Sequence, residues 1–128
     1  MSVHSILIVD DEPNQRLMLE QALRSPDQWS IVTAANGQEA LDYIVKVMPD
    51  LIITDYNMSA MNGIELISRV RASGSTSRVI LMTAYSSQDL VEAAQGLDVD
   101  HYLTKPVPLA LLRSVTAATV ARGSNSKG

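Results

Sequence analysis

Short runs of aliphatic and β-branched residues alternate along this chain with segments whose apolar positions recur every three or four residues. Ile6-Leu7-Ile8-Val9 is apolar without interruption and ends at Asp10, Asp11 and Glu12. Trp29 to Ala34, Leu51 to Thr54, Val79 to Thr83 and His101 to Thr104 predict four further strands. Helical spacing fills the intervals. Asn14 to Ser25 follows Pro13, a residue suited to a first helical turn, and carries Leu17, Met18, Leu19, Ala22 and Leu23 before Pro26 stops it. After the Asn36-Gly37 turn, Gln38 to Met48 carries Ala40, Leu41, Ile44 and Val45, and Pro49 ends it. Ile64, Leu66, Ile67 and Val70 predict a third helix after Gly63, broken by Gly74 and the serines beyond it. Gln88 to Gln95 is a short helix closed by Gly96, and Leu109 to Arg122 is the last, with Leu109, Leu112, Val115 and Ala118 on one face.

The first, third and fourth strands are apolar throughout instead of alternating. Strands of that kind are covered on both faces, as in a parallel sheet with helices on each side. Strand–helix units in succession, joined by right-handed crossovers, predict an α/β protein with a doubly wound sheet. Ligands of such sheets bind outside the carboxyl ends of the strands. The residues just after each strand are therefore where function is to be sought.

Composition narrows the classes. A chain of 128 residues, 46% hydrophobic and 19% charged, suits one domain with a real core. We place that domain at residues 1–122, with 123–128 a flexible tail or the start of a linker. The net charge of −4 lacks the basic excess that direct nucleic-acid binding needs. With no cysteine, disulfides, thiolate metal sites and cysteine nucleophiles are excluded. No apolar run approaches the ~18 residues of a membrane span, and the first strand is too short for a signal-peptide core, so a cytoplasmic location is expected. His4 and His101 have no metal-ligand spacing and receive no role.

The strand ends carry the chemistry. Asp10 and Asp11 follow the first strand, Asp55 the third, Thr83 closes the fourth, and Lys105-Pro106 follows the fifth. Carboxylates gathered on one rim repel one another unless a cation intervenes. Magnesium suits such a site, because it takes one or two carboxylates plus waters and leaves room for a phosphoryl oxygen. A lysine and a threonine hydroxyl on the same rim could meet two more phosphoryl oxygens, which is most of what phosphoryl transfer requires. Singly, each residue has an ordinary reading: Asp55 as a cap, the acidic pair as a solvated lead into a helix, Lys105-Pro106 as a loop. One shared site accounts for four strand ends more simply than four unrelated caps do.

The segments ILIVDDEP, LIITDYNMSAMNG, LMTA and YLTKP, in this order and spacing, resemble the receiver domain of bacterial two-component response regulators over roughly residues 3 to 120. The resemblance implies a flavodoxin-like sheet of five strands in the order 2-1-3-4-5. It implies Asp55 as the phosphoacceptor, Asp11, Asp55 and the backbone carbonyl of Asn57 as ligands of Mg2+, and Asp10 as a ligand through water. Lys105, after which a cis proline bond is expected, would pair with phosphoryl oxygens. Thr83 would be the switch hydroxyl and Tyr102 the aromatic that follows it, although a lone tyrosine on a short strand would otherwise be half-buried packing. The implied protein is a switch, an enzyme only toward its own phosphorylation and dephosphorylation. Its partners would be a sensor histidine kinase or phosphotransfer protein and an output domain or protein. The family's output face, formed by helix four, strand five and helix five, also allows a homodimer.

Two departures stand out: Ser59 occupies a position where many receivers have proline, and the chain has no phenylalanine. Asn57 and Tyr85 lie where the family tunes hydrolysis lifetime. Three other readings compete. A degenerate receiver would lack some of Asp10, Asp11, Asp55, Thr83 and Lys105, yet all are present. An aspartate-nucleophile phosphatase would need an acid two residues after Asp55, where Asn57 stands. A flavin-binding domain would need a hydroxyl- and glycine-rich phosphate loop where this chain has acidic residues.

Overall fold

The computed structural model describes residues 3–125. Strands β1 (His4–Val9), β2 (Trp29–Ala34), β3 (Leu51–Asp55), β4 (Arg78–Thr83) and β5 (His101–Thr104) alternate with helices α1 (Pro13–Ala22), α2 (Gly37–Lys46), α3 (Gly63–Ala72), α4 (Gln88–Gly96) and α5 (Leu109–Asn125). All strand pairings are parallel, in the order β2-β1-β3-β4-β5. The fold class and strand order expected from the sequence are those observed. The order reverses between β1 and β3, whose carboxyl ends carry Asp10 and Asp55.

Strand alternation divides the core in two. Leu7, Val9, Ile52, Val79 and Leu81 pack with Ala40 and Ile44 of α2, Leu66, Ile67 and Val70 of α3, and Leu90 and Ala94 of α4. Ile6, Ile8, Leu51, Ile53, Ile80 and Met82 pack with Leu19 and Leu23, at and just beyond α1, and with Leu112 and Val120 of α5. Because neighbouring strand residues face opposite sides, a buried central strand must be apolar at every position. Each Leu or Ile so hidden contributes about 1.5–3 kcal/mol relative to leaving it in water.

Some helix faces differ from the apolar spacing. Leu17 and Met18 of α1 and Val45 of α2 are exposed, Val45 at 74%. The predicted α5 stripe also shifts: Leu109 and Ala118 are exposed, while Thr116 and Thr119 are buried beside Leu112 and Val120. Counting apolar residues missed this face because threonine methyl groups supply part of it. Helix ends move for local reasons. The N–H of Leu23 returns to Leu19 and Gln21 carbonyls and ends α1 three residues early, and extended backbone at Val47 ends α2. At the other end of the chain, α5 runs to Asn125, past the expected stop at Arg122. Residues 126–128 of the expected tail lie outside the described residues. Among the described residues no helix is long and apolar enough to cross a membrane.

The connection from β3 to α3 is fixed tightly. Asn62 caps α3 by accepting from the Glu65 N–H at 2.8 Å, while the Asn62 N–H donates to the Glu65 carboxylate at 2.9 Å. Gly63 begins the helix against the strand that bears Asp55. A Cβ at Gly63 would lie 2.6 Å from the Asp55 carbonyl oxygen and 3.0 Å from the Tyr56 Cα, both backbone atoms. Gly63→Ala is therefore expected to cost about 2 kcal/mol of stability, measured by urea unfolding. An unchanged unfolding midpoint would show that β3 and α3 can separate freely.

Candidate functional site

The residues after β1, β3 and β5 meet at the carboxyl end of the sheet. Asp55, the last residue of β3, is 6% exposed, and its Oδ2 lies 3.0 Å from the Lys105 ammonium. Lys105 is positioned from β4: its N–H donates to the Thr83 carbonyl at 2.8 Å, and the Lys105-Pro106 bond is cis. The same ammonium reaches Gln15 Oε1 of α1 at 3.3 Å. Asn57 is exposed, and its N–H donates to Asp55 Oδ1 at 3.4 Å.

Asp10 is fully buried. Its Oδ1 accepts from the Glu12 N–H at 2.9 Å, whereas its Oδ2 has no hydrogen-bond partner among the described residues. Burial pushes the Asp10 carboxyl above its ordinary value, and the Asp55 and Asp11 carboxylates push it the same way. The Glu12 N–H and the Lys105 charge oppose the rise without cancelling it. Arg16 braces this turn by donating to the Asp10 carbonyl at 2.7 Å. Glu12 has a structural task, capping α1 by accepting from the Gln15 N–H at 2.7 Å.

Asp11 is half-buried and turned toward the β3–α3 loop. Its Oδ2 accepts from both the N–H of Ser59, at 3.0 Å, and the Ser59 hydroxyl, at 3.1 Å. Among the described residues no three His, Cys, Asp or Glu side chains converge as a closed metal set. The donor chemistry nonetheless fits a hard cation. Asp10, Asp11 and Asp55 bring carboxylate oxygens to the cup, and one of these, Asp10 Oδ2, is buried with no hydrogen-bond partner among the described residues.

Thr83 is fully buried at the end of β4, and its hydroxyl is 3.2 Å from both the N–H and the carbonyl oxygen of Tyr85. Tyr102 is half-buried, its ring against the core on the α2–α4 side and its hydroxyl donating to Ser86 Oγ at 3.0 Å. Both side chains are thus held by the β4–α4 loop. The sequence reading missed three partners: Gln15, Arg16 and Ser59. Gln15 and Arg16 look like any polar helix surface. Ser59 had a signal, its departure from proline, but its bond to Asp11 needed coordinates. A larger cavity of about 580 Å³ lies at the opposite rim, lined by Arg71, Arg78 and Asp100. There Arg71 donates to the carbonyls of Ser75, Ser77, Leu97 and Asp98, and acts as a brace between loops.

Comparisons with known proteins give the family to which the chain is similar. The chain is 32% identical over 125 residues to sporulation initiation phosphotransferase F of Bacillus subtilis, covering 98% of this chain and all of that one. It is 34% identical to the transcriptional regulatory protein PrrA of Mycobacterium tuberculosis, over 94% of this chain but 52% of that longer protein. Among solved structures, the chemotaxis protein CheY4 of Vibrio cholerae superposes with a TM-score of 0.84 at 27% identity, over 92% of this chain and 99% of that one. Residues 6–117 match the family model of the response regulator receiver domain. The chain belongs to the response regulator receiver domain family, the phosphoacceptor module of two-component signalling.

Proposed function

We propose that Asp55 is the residue that takes the phosphoryl group, and that Asp10, Asp11 and the Asn57 backbone carbonyl help it hold Mg2+. The observation that carries this reading is the pairing of Asp55 with Lys105 at 3.0 Å beside the buried, unpartnered oxygen of Asp10. An Asp55 carboxylate oxygen attacks phosphorus, and the bond from phosphorus to the donor's imidazole nitrogen breaks. The imidazole leaves with the bonding electron pair and takes up a proton. Bound Mg2+ would supply neutralising charge to the phosphoryl oxygens. Lys105 is already aimed at the oxygen side of Asp55 and needs only to move from carboxylate to phosphoryl oxygen. A buried carboxylate whose lysine is ready to shift holds its nucleophile in place before the donor arrives.

The donor is a sensor histidine kinase or a phosphotransfer protein. A groove of about 350 Å³ opens beside Lys105, lined by Met18, Leu19, Met82, Val107, Leu109 and Leu112. It supports this reading by offering apolar surface within reach of the acceptor. Thr83 and Tyr102 form the switch: a phosphoryl oxygen draws the Thr83 hydroxyl from the Tyr85 backbone, and the loop that also holds the Tyr102 hydroxyl rearranges. The output partner then reads α4, β5 and α5.

Incubation with acetyl phosphate and magnesium should add the mass of one phosphoryl group to the wild-type protein and none to Asp55→Asn, as read by intact-protein mass spectrometry at acid quench. Undiminished modification of Asp55→Asn would refute the acceptor assignment.

The raised Asp10 carboxyl has a consequence for stability. A carboxyl that binds its proton more tightly folded than unfolded weakens the fold as pH rises from the ordinary value, 3.8, through the raised one. Above both, the penalty is constant. Asp10→Asn removes it and keeps an oxygen for the Glu12 N–H. Without divalent cation at pH 7, Asp10→Asn should melt above wild type, and the gap should close as pH falls below the ordinary carboxyl range. A wild type that melts higher at pH 7 would contradict this.

A further inference from the structure

We propose that Ser59 is a clasp on Asp11, which Asp11 must leave before it can ligate a divalent cation, so that this serine sets the cation affinity of the site. The inference rests on the reading above, in which Asp11 is a cation ligand.

Both donors of Ser59 end on one oxygen. Its N–H and its hydroxyl reach Asp11 Oδ2 at 3.0 and 3.1 Å, and together they hold that oxygen toward the β3–α3 loop. The clasp sits on strained backbone. The Met61 N–H donates to the Ser59 carbonyl at 2.8 Å across Ala60, whose φ is +70°. A three-residue turn with that central φ is the rare, strained γ-turn, and alanine enters the left-handed region only at a cost. Such a conformation persists where surrounding contacts over-determine it.

Those contacts are visible on both sides of Ala60. Ser59 is tied to Asp11 on one side. On the other, Met61 lies over Gly37 at the start of α2, where a Cβ would fall 2.5 Å from the Met61 sulfur. The loop is therefore held on both sides of Ala60, by Asp11 after β1 and by packing on α2, and release of Asp11 removes one of those holds. Meanwhile Asp10 Oδ2 stays unpartnered, and the carboxylates form no closed ligand set among the described residues. Swinging Asp11 Oδ2 from Ser59 toward the cup breaks two charge-assisted hydrogen bonds, and that loss subtracts from the affinity for the cation. A proline at this position would have neither the N–H nor the hydroxyl.

The test is calorimetric titration of MgCl2 into wild type, Ser59→Ala, Ser59→Thr and Ser59→Pro at constant ionic strength. Ser59→Ala, which loses the hydroxyl, should bind Mg2+ about threefold more tightly, and Ser59→Pro, which loses both donors, about tenfold. Ser59→Thr keeps both donors and should match wild type. Thermal melts without cation should fall slightly for Ala and Pro, in the order of donors lost. If Ser59→Pro does not fold, the comparison of Ala with Thr decides alone. Equal Mg2+ affinity in wild type and Ser59→Ala would overturn the clasp and leave the cation site standing. A wild type that binds no Mg2+ would overturn the cation site, and the clasp with it.

Discussion

The carboxyl end of this sheet is governed by a shortage of positive charge around carboxylates that are largely buried. Asp10 and Asp55 are buried within reach of each other's field, and Lys105 is the ammonium set between the strands to meet them. One lysine cannot neutralise two buried carboxylates and a third at the rim. The rest of the local structure reads as accommodation of that imbalance. The Glu12 N–H takes one oxygen of Asp10, Arg16 braces the turn below it, and Ser59 draws Asp11 aside. A buried carboxylate oxygen is still left over. In the proposed reading, the imbalance that costs stability is also what a bound cation and an incoming anionic group would meet, between charges already in position.

The sheet makes this crowding unavoidable. Continuous apolar strands put β1, β3 and β4 at the centre, buried on both faces between the two core layers. Once register is fixed, the residues that follow those strands have nowhere to go but the common rim. Gly63 then brings α3 onto the acceptor strand with no room for a methyl group. Stability from the two core layers is thus spent at one edge, and the edge is where the chemistry lies.

Much of this was legible in the sequence. Uninterrupted runs such as Ile6 to Val9 and Leu51 to Thr54 announce strands covered on both faces, and that pattern alone implies parallel order and a site at the carboxyl rim. Asp10, Asp55, Thr83 and Lys105 could be placed there because each sits at a strand end. What stayed hidden depends on side-chain direction. Apolar spacing placed the α5 face only in part: Leu112 and Val115 pack inward, but Thr116 and Thr119 are buried while Leu109 and Ala118 are exposed. It also gave no hint that Leu17 and Met18 would lie open. The direction of Asp11 was hidden for the same reason: sequence supplies a carboxylate at position 11, and only coordinates show it facing Ser59.

The most direct test is a crystal structure grown with magnesium and beryllium trifluoride. The account predicts beryllium bonded to an Asp55 carboxylate oxygen, a cation contacted by Asp10 or Asp11, and the Lys105 ammonium on a fluorine. Lys105 still bound to an unmodified Asp55, with the fluoride complex absent or attached elsewhere, would contradict it.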